Sequence, residues 1–424
     1  MQATCRTGTA AALAAAMLAA TAADAASYRV FPVPVASPDH GAHALVTNPQ
    51  NSEASPFGWH DTNGVAGPEF TILRGNNASV YTDTDGNDIA DDAGPDGGAP
   101  LLFDFAWSPT DPPTAYKDAL ATNAFYWVNM LHDIFYRHGF DEAAGNMQQN
   151  NYGRGGLGND AVLVEILDGA GSNDANGSLT SDGTSPRIQL YPWTVTTPQR
   201  DAGFDATILI QAWGMAVNGR LAGPACVSNA ETPASGYGDF FALLLTTDFT
   251  TATATQPRGL GTYVLGQPVA GSGIRGMAYT TDLKADHYTY QDTRILSTPQ
   301  DTGTVWAGAL WDLTWSLVDT YGASNDWFNG NGAENRMLRL AIRALQRQTC
   351  DAGFVEARDA WLTADTELYA GDDHCRIWNA FARRGLGASA VQGSGASNGD
   401  NTAAYDLPQE CLPDPIFADG FGTP

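Results

Sequence analysis

Apolar residues recur at helical spacing across residues 116–135, through Phe125, Trp127, Val128, Leu131, Ile134 and Phe135, and predict a long helix. Residues 208–221 are apolar on almost every face, the pattern of a short helix buried in a large protein. Within that run Gln211 and Met215 stand four apart and share one face, with Ala212 beside Gln211. As residues alone they read as space-filling on a buried helix, Met being a common filler of core gaps. Residues 240–245 and 304–313 read as further buried helices, and 336–348 and 354–364 as amphipathic ones. The earlier chain has another texture. Residues 28–112 are rich in Pro, Gly, Asn and Asp with short alternating runs, which predicts loop-rich β structure, and 159–166 and 188–193 read as strands around a Gly/Asn/Asp loop at 169–183.

Residues 1–26 carry Arg6, an Ala-Leu-Met run and Ala23-Asp24-Ala25, the layout of a secretory signal cleaved after Ala25 or Ala26. That apolar run is too short to span a bilayer, and no later segment is long and apolar enough. The formal net charge of −26, with Lys117 and Lys284 as the only lysines, argues against nucleic acid or an anionic membrane as partner. Cys5 would leave with the signal, and Cys226, Cys350, Cys375 and Cys411 remain. An even number in an exported chain predicts two disulfides, with three pairings open.

The run Asp83-Thr84-Asp85-Gly86-Asn87-Asp88-Ile89-Ala90-Asp91-Asp92 sets acidic side chains around a turn glycine. Asp83, Asp85, Asn87, Asp88, Asp91 and Asp92 offer the oxygen donors that calcium takes, although no glutamate closes the loop; a solvated acidic turn is the other reading. His132 and His138 lie six apart, on different helix faces, and cannot form the i, i+4 pair of a helical zinc site, so a packed or capping role is expected. His40 and His43 read as solvent-exposed loop residues. A serine mechanism is disfavoured, because no Gly-x-Ser-x-Gly elbow accompanies a suitable Ser/His/Asp order.

A longer frame runs through the chain: Asn123-Ala124-Phe125-Tyr126-Trp127, His132-Asp133-Ile134, Asn173-Asp174-Ala175-Asn176, Arg200-Asp201, Gly214, Arg220-Leu221, Ser235-Gly236-Tyr237-Gly238-Asp239-Phe240 and Phe381-Ala382-Arg383-Arg384-Gly385. It resembles the fungalysin family of secreted zinc endopeptidases over residues 28–387. The resemblance implies an α+β, zincin-like two-lobed fold. A β-containing N-terminal lobe (27–206) would face a central helix and mainly helical C-terminal lobe (207–387) across a cleft, followed by a flexible linker and tag-like tail (388–424). It places the zinc-ligand positions on Gln211, Met215 and Ser235, the general-base position on Ala212, and a cleft phenylalanine on Gly177. It also makes Asn173, Ala175, Asn176, Tyr237 and Asp239 cleft candidates. The disulfide pairing it suggests is Cys350 with Cys375 and Cys226 with Cys411.

Catalytic zinc needs three N, O or S donors at about 2 Å and an open position for water. A neutral amide, a thioether and a hydroxyl do not meet that need, and Ala212 has no group to take a proton, a role worth roughly 10² to 10⁴ in rate. The expectation is therefore a secreted pseudopeptidase holding no zinc, with calcium as its candidate ion and a peptide or protein as its ligand. The alternative is an active extracellular metalloendopeptidase using a non-standard metal site. The run Pro415-Ile416-Phe417-Ala418-Asp419-Gly420-Phe421 resembles C-terminal tags of exported bacterial proteins, which adds the bacterial cell surface to the expected locations.

Overall fold

The computed structural model describes residues 25–413. All but the last two residues of the expected signal, together with Cys5 and the tag-like run from Pro415, lie outside them.

The strands are β1 (Ser27–Val30), β2 (Ala44–Thr47), β3 (Ala78–Thr82), β4 (Leu102–Phe103), β5 (Val162–Ile166), β6 (Ala175–Gly177), β7 (Arg187–Leu190), β8 (Pro192–Trp193) and β9 (Arg200–Asp201). They form a three-stranded sheet of order β2-β1-β4, a four-stranded sheet of order β3-β5-β7-β6 and a β8-β9 ribbon. In the larger sheet β3, β5 and β7 run parallel and β6 lies antiparallel on the edge. β3 alternates buried and half-buried positions, as a strand covered mainly on one face does. The central β5 is more apolar, with Val162, Val164 and Ile166 buried, as expected of a parallel strand covered on both faces.

Helix α1 (Lys117–Arg137) is buried from Ala119 to Phe135 and packs against β1, β3 and β5. It is tied to the smaller sheet by Asn123, whose Oδ1 accepts the Phe31 N–H at 2.9 Å, and by the Trp127 indole, which donates to the Phe31 carbonyl at 3.0 Å. His132 is packed, as expected: it is buried between Asp133 and Gln148 at 2.9 and 2.8 Å. His40 and His43, expected in solvent, are instead half-buried, and burial lowers both pKa values to about 4. The reason is local packing: His43 stacks on Phe31 at 4.7 Å between ring centroids.

The second half is helical: α2 (Ala206–Ala222), α3 (Ala234–Leu245), α4 (Pro299–Tyr321), α5 (Ala333–Arg347), α6 (Phe354–Tyr369) and α7 (His374–Arg383). Asp205 caps α2, its Oδ1 accepting the Thr207 N–H at 3.2 Å. Two glycine pairs set the helix crossings. A Cβ on Gly214 of α2 would stand 2.7 Å from the Gly238 Cα of α3, and one on Gly303 of α4 would stand 2.6 Å from the Gly236 nitrogen of α3. Backbones approach this closely only where neither residue has a side chain. The architecture is thus α+β, with the strands and α1 in the first half and the remaining helices after, and one continuous apolar core joining both halves.

Two expectations for the C-terminal region are overturned. The disulfides are Cys226–Cys350 and Cys375–Cys411, with Cα–Cα separations of 4.5 and 5.2 Å. Neither expected pair, Cys350 with Cys375 or Cys226 with Cys411, forms. Cys350, beyond the end of α5, lies beside the loop after α2, where the Asp351 N–H donates to the Cys226 carbonyl at 3.1 Å. Cys375 sits in the first turn of α7 and meets the returning tail. Residues 388–402, expected as a flexible linker, instead pair back on the body through Val391 with Thr402, while Leu386 bridges Ala404. The Gln392 Oε1 caps α6 by accepting the N–H groups of Val355 and Glu356, each at 3.1 Å, so the segment satisfies donors that a helix start leaves open.

Candidate functional site

A cleft of ≈ 1020 Å³ opens between the sheet and the helices. Its floor is α2 and the first turn of α3, one wall is β6 with the chain leading into it, and the other is the 265–275 loop. Helix α2 is enclosed on nearly all sides, which is why its sequence is apolar all round. Gln211 and Met215 are its part-exposed positions amid buried neighbours, and both line the cleft together with Ala212 and Ser235. Space-filling in a buried core is therefore not their setting; the shared face read from their spacing is the face that opens. The Gly214–Gly238 crossing brings Ser235 on α3 to the same floor.

Beneath the floor lies Asp239, fully buried. Its Oδ1 accepts the Gln211 Nε2 at 2.6 Å and an Arg275 Nη2 at 2.8 Å, its Oδ2 accepts the Arg275 Nε at 2.7 Å, and the Tyr279 hydroxyl donates to it as well. Burial works against the Arg275 charge, but the Asp239 carboxylate outweighs it and the guanidinium pKa ends above its ordinary value. Burial, with the Asp239 charge adding, holds the Tyr279 phenol well above its usual range. The Gln211 amide is thus committed to a carboxylate that is itself locked by arginine.

Of the cleft candidates, Asn173, Ala175 and Asn176 line the opening, while Tyr237 and Asp239 do not. Tyr237 is fully buried, accepting the Trp361 indole N–H at 2.7 Å, because the first turn of α3 rolls it toward α4 and α6. Asp239 acts from below the floor through Gln211 and Arg275. Gly177 has a steric role: a Cβ there would stand 2.1 Å from the Ala212 carbonyl oxygen, so β6 lies directly on α2. Sequence reading gave Arg275 no role in the site, because it meets its partner across 36 residues. It also missed the 227–232 rim and the Leu265, Gln267 and Ile274 wall.

The acidic run is divided by the fold. Oxygens of Asp83, Asp85 and Asp91 come within 4.8 Å of one another. Asn87 instead donates to Asp85 at 2.9 Å, Asp88 accepts from Gln189 at 3.4 Å, and Asp92 pairs with Lys117 at 2.6 Å.

The family model described as Fungalysin metallopeptidase (M36) matches residues 27–390. The chain is 36% identical over 402 residues to the "Extracellular metalloproteinase MEP" of Fusarium vanettenii, covering 91% of this chain and 61% of that protein. It is 36% identical over 397 residues to "Extracellular metalloproteinase 3" of Trichophyton soudanense, covering 89% and 97%. The chain therefore spans about three fifths of the length of the Fusarium relative. Among solved structures, the protealysin precursor, a metalloproteinase from Serratia proteamaculans, is similar at a TM-score of 0.44 and 12% identity, covering 77% of this chain and 92% of that one. With a family match across most of its length and relatives this similar, the chain belongs to the fungalysin metallopeptidase family.

Proposed function

We propose that this chain is an exported member of its family that binds a peptide or protein segment in the cleft without cleaving it. The observation that carries the reading is the donor set on the cleft floor. Gln211 offers a neutral amide already bound to Asp239, Met215 a thioether and Ser235 a hydroxyl. This set does not fit a catalytic zinc, which takes imidazole, thiolate or carboxylate. Asp239 is the kind of outer carboxylate that orients a ligand histidine, and here it orients an amide. Ala212 supplies no base for a water molecule.

The cleft retains features that hold an extended chain. β6 is an edge strand whose Asp174, Asn176 and Ser178 backbone groups bond toward β7, so those of Ala175 turn away from β7 on the cleft wall. Adding a strand at such an edge is a common mode of peptide recognition. An extracellular location is supported by the printed names of the relatives and by two disulfides, which persist in oxidising compartments. Among the described residues no helix is long and apolar enough to cross a membrane.

The test is metal content by mass spectrometry after dialysis against zinc, beside a casein-cleavage assay and peptide-binding titrations. Below about a tenth of an equivalent of zinc with no cleavage is the expected result. Stoichiometric, chelator-removable zinc with cleavage overturns the reading in favour of an active metalloendopeptidase.

A further inference from the structure

The parallel pairing of β3 with β5 sets Tyr81 beside Glu165 and Thr82 beside Ile166. Asp83 follows β3 directly and Asp168 lies just beyond β5, so three carboxylates gather at and beyond one end of the strand pair. Oxygens of Asp83, Glu165 and Asp168 lie within 4.8 Å of one another, and all three residues are fully buried. Arg187 reaches the cluster through Glu165, bonded to its Oε1 and, at 3.0 Å, to the Tyr81 hydroxyl. Three buried carboxylates thus face one positive charge. Asp83 is partly satisfied by the Asn87 and Asp88 N–H groups, and Asp168 Oδ1 by the Ala170 N–H at 2.7 Å. Glu165 Oε2 and Asp168 Oδ2, both buried, have no hydrogen-bond partner. Buried polar atoms are almost always paired, so two unpaired carboxylate oxygens in one cluster suit a cation as their partner.

We propose that Asp83, Glu165 and Asp168 bind a calcium ion. Hard oxygen donors with excess negative charge are the ligand set calcium takes, with backbone carbonyls or water completing six to eight positions. The outer group of Asp83, Asp85 and Asp91 is the weaker candidate. Asp85 and Asp91 are exposed, and Asp91 Oδ2 already accepts from the Thr84 N–H and hydroxyl at 3.0 and 2.9 Å. An ion at the inner site fastens β3 to β5 and so braces the sheet that carries β6. The inference is independent of the cleft's function.

Thermal unfolding of the full chain in EDTA and in excess calcium tests it. The wild type gains about 4 °C at a hundredfold excess over the dissociation constant. Asp168→Asn loses that gain, yet in EDTA unfolds no lower than the wild type, because a like charge has been removed. Asp85→Asn combined with Asp91→Asn keeps the gain. Terbium luminescence sensitised by Tyr81, competed away by calcium, reads the same site in the unaltered protein. Absence of both the calcium-dependent gain and the terbium signal overturns the proposal. So does a gain that survives Asp168→Asn or disappears with the outer pair.

Discussion

Asp239→Asn keeps the shape of the side chain under the cleft and removes its charge. In the wild type the carboxylate takes two bonds from Arg275, one from the Gln211 amide and one from the Tyr279 hydroxyl, and both side chains of the ion pair are nearly or fully buried. Asparagine has one acceptor oxygen, so its NH₂ would face another donor, and Arg275 would keep a buried charge without a partner. Removing one member of a buried ion pair costs about 3–5 kcal/mol, a large part of the roughly 5–15 kcal/mol that holds a folded protein together. Urea unfolding of the wild type, Asp239→Asn, Arg275→Met and the double variant measures this directly. The double variant should be less destabilised than the two single changes summed, by about 1–3 kcal/mol, because it strands no charge. A loss below about 1 kcal/mol in Asp239→Asn, or strict additivity, would refute the account of the pair as a locked support under the floor.

Gln211→His, Ala212→Glu, Met215→His and Ser235→Glu introduced together should give a chain that takes up about one equivalent of zinc, since Asp239 already stands where it can orient a histidine at 211; failure of the folded variant to bind would count against that role. Gly177→Ala should lower stability by about 1–3 kcal/mol in thermal melts, because its Cβ would be driven to 2.1 Å from the Ala212 oxygen; an unchanged melt would show that β6 does not rest on α2. Burial raises the Glu231 pKa from 4.5 to about 8. The folded form therefore holds its proton over a window in which the unfolded chain has released it, and stability falls as pH rises from 4.5 through 8. Glu231→Gln, which does not titrate, should gain on the wild type across that window in denaturant titrations; a constant difference would contradict the shift.

Much of the helical half was legible in the residues. The run at 208–221 lies within α2, and those at 304–313 and 354–364 lie within α4 and α6, while 116–135 nearly spans α1. Helical periodicity is written by neighbours within a turn or two, so it survives without knowledge of the chain's path. The shared face of Gln211 and Met215 follows from the same local geometry. That this face opens on a cleft does not, because exposure depends on which elements cover the helix. The same limit explains the wrong cysteine pairs, since Cys226 and Cys350 are 124 residues apart, and the docking of residues 388–402, whose composition suggests a loose linker. Asp239 and Asp83 stand out singly in the sequence, but the pairing of Asp239 with Arg275, and of Asp83 with Glu165 and Asp168, leaves no mark there. They become sites through the Gly214–Gly238 helix crossing, the loop after α3 and the β3–β5 register, contacts made between distant segments and therefore decided by tertiary structure.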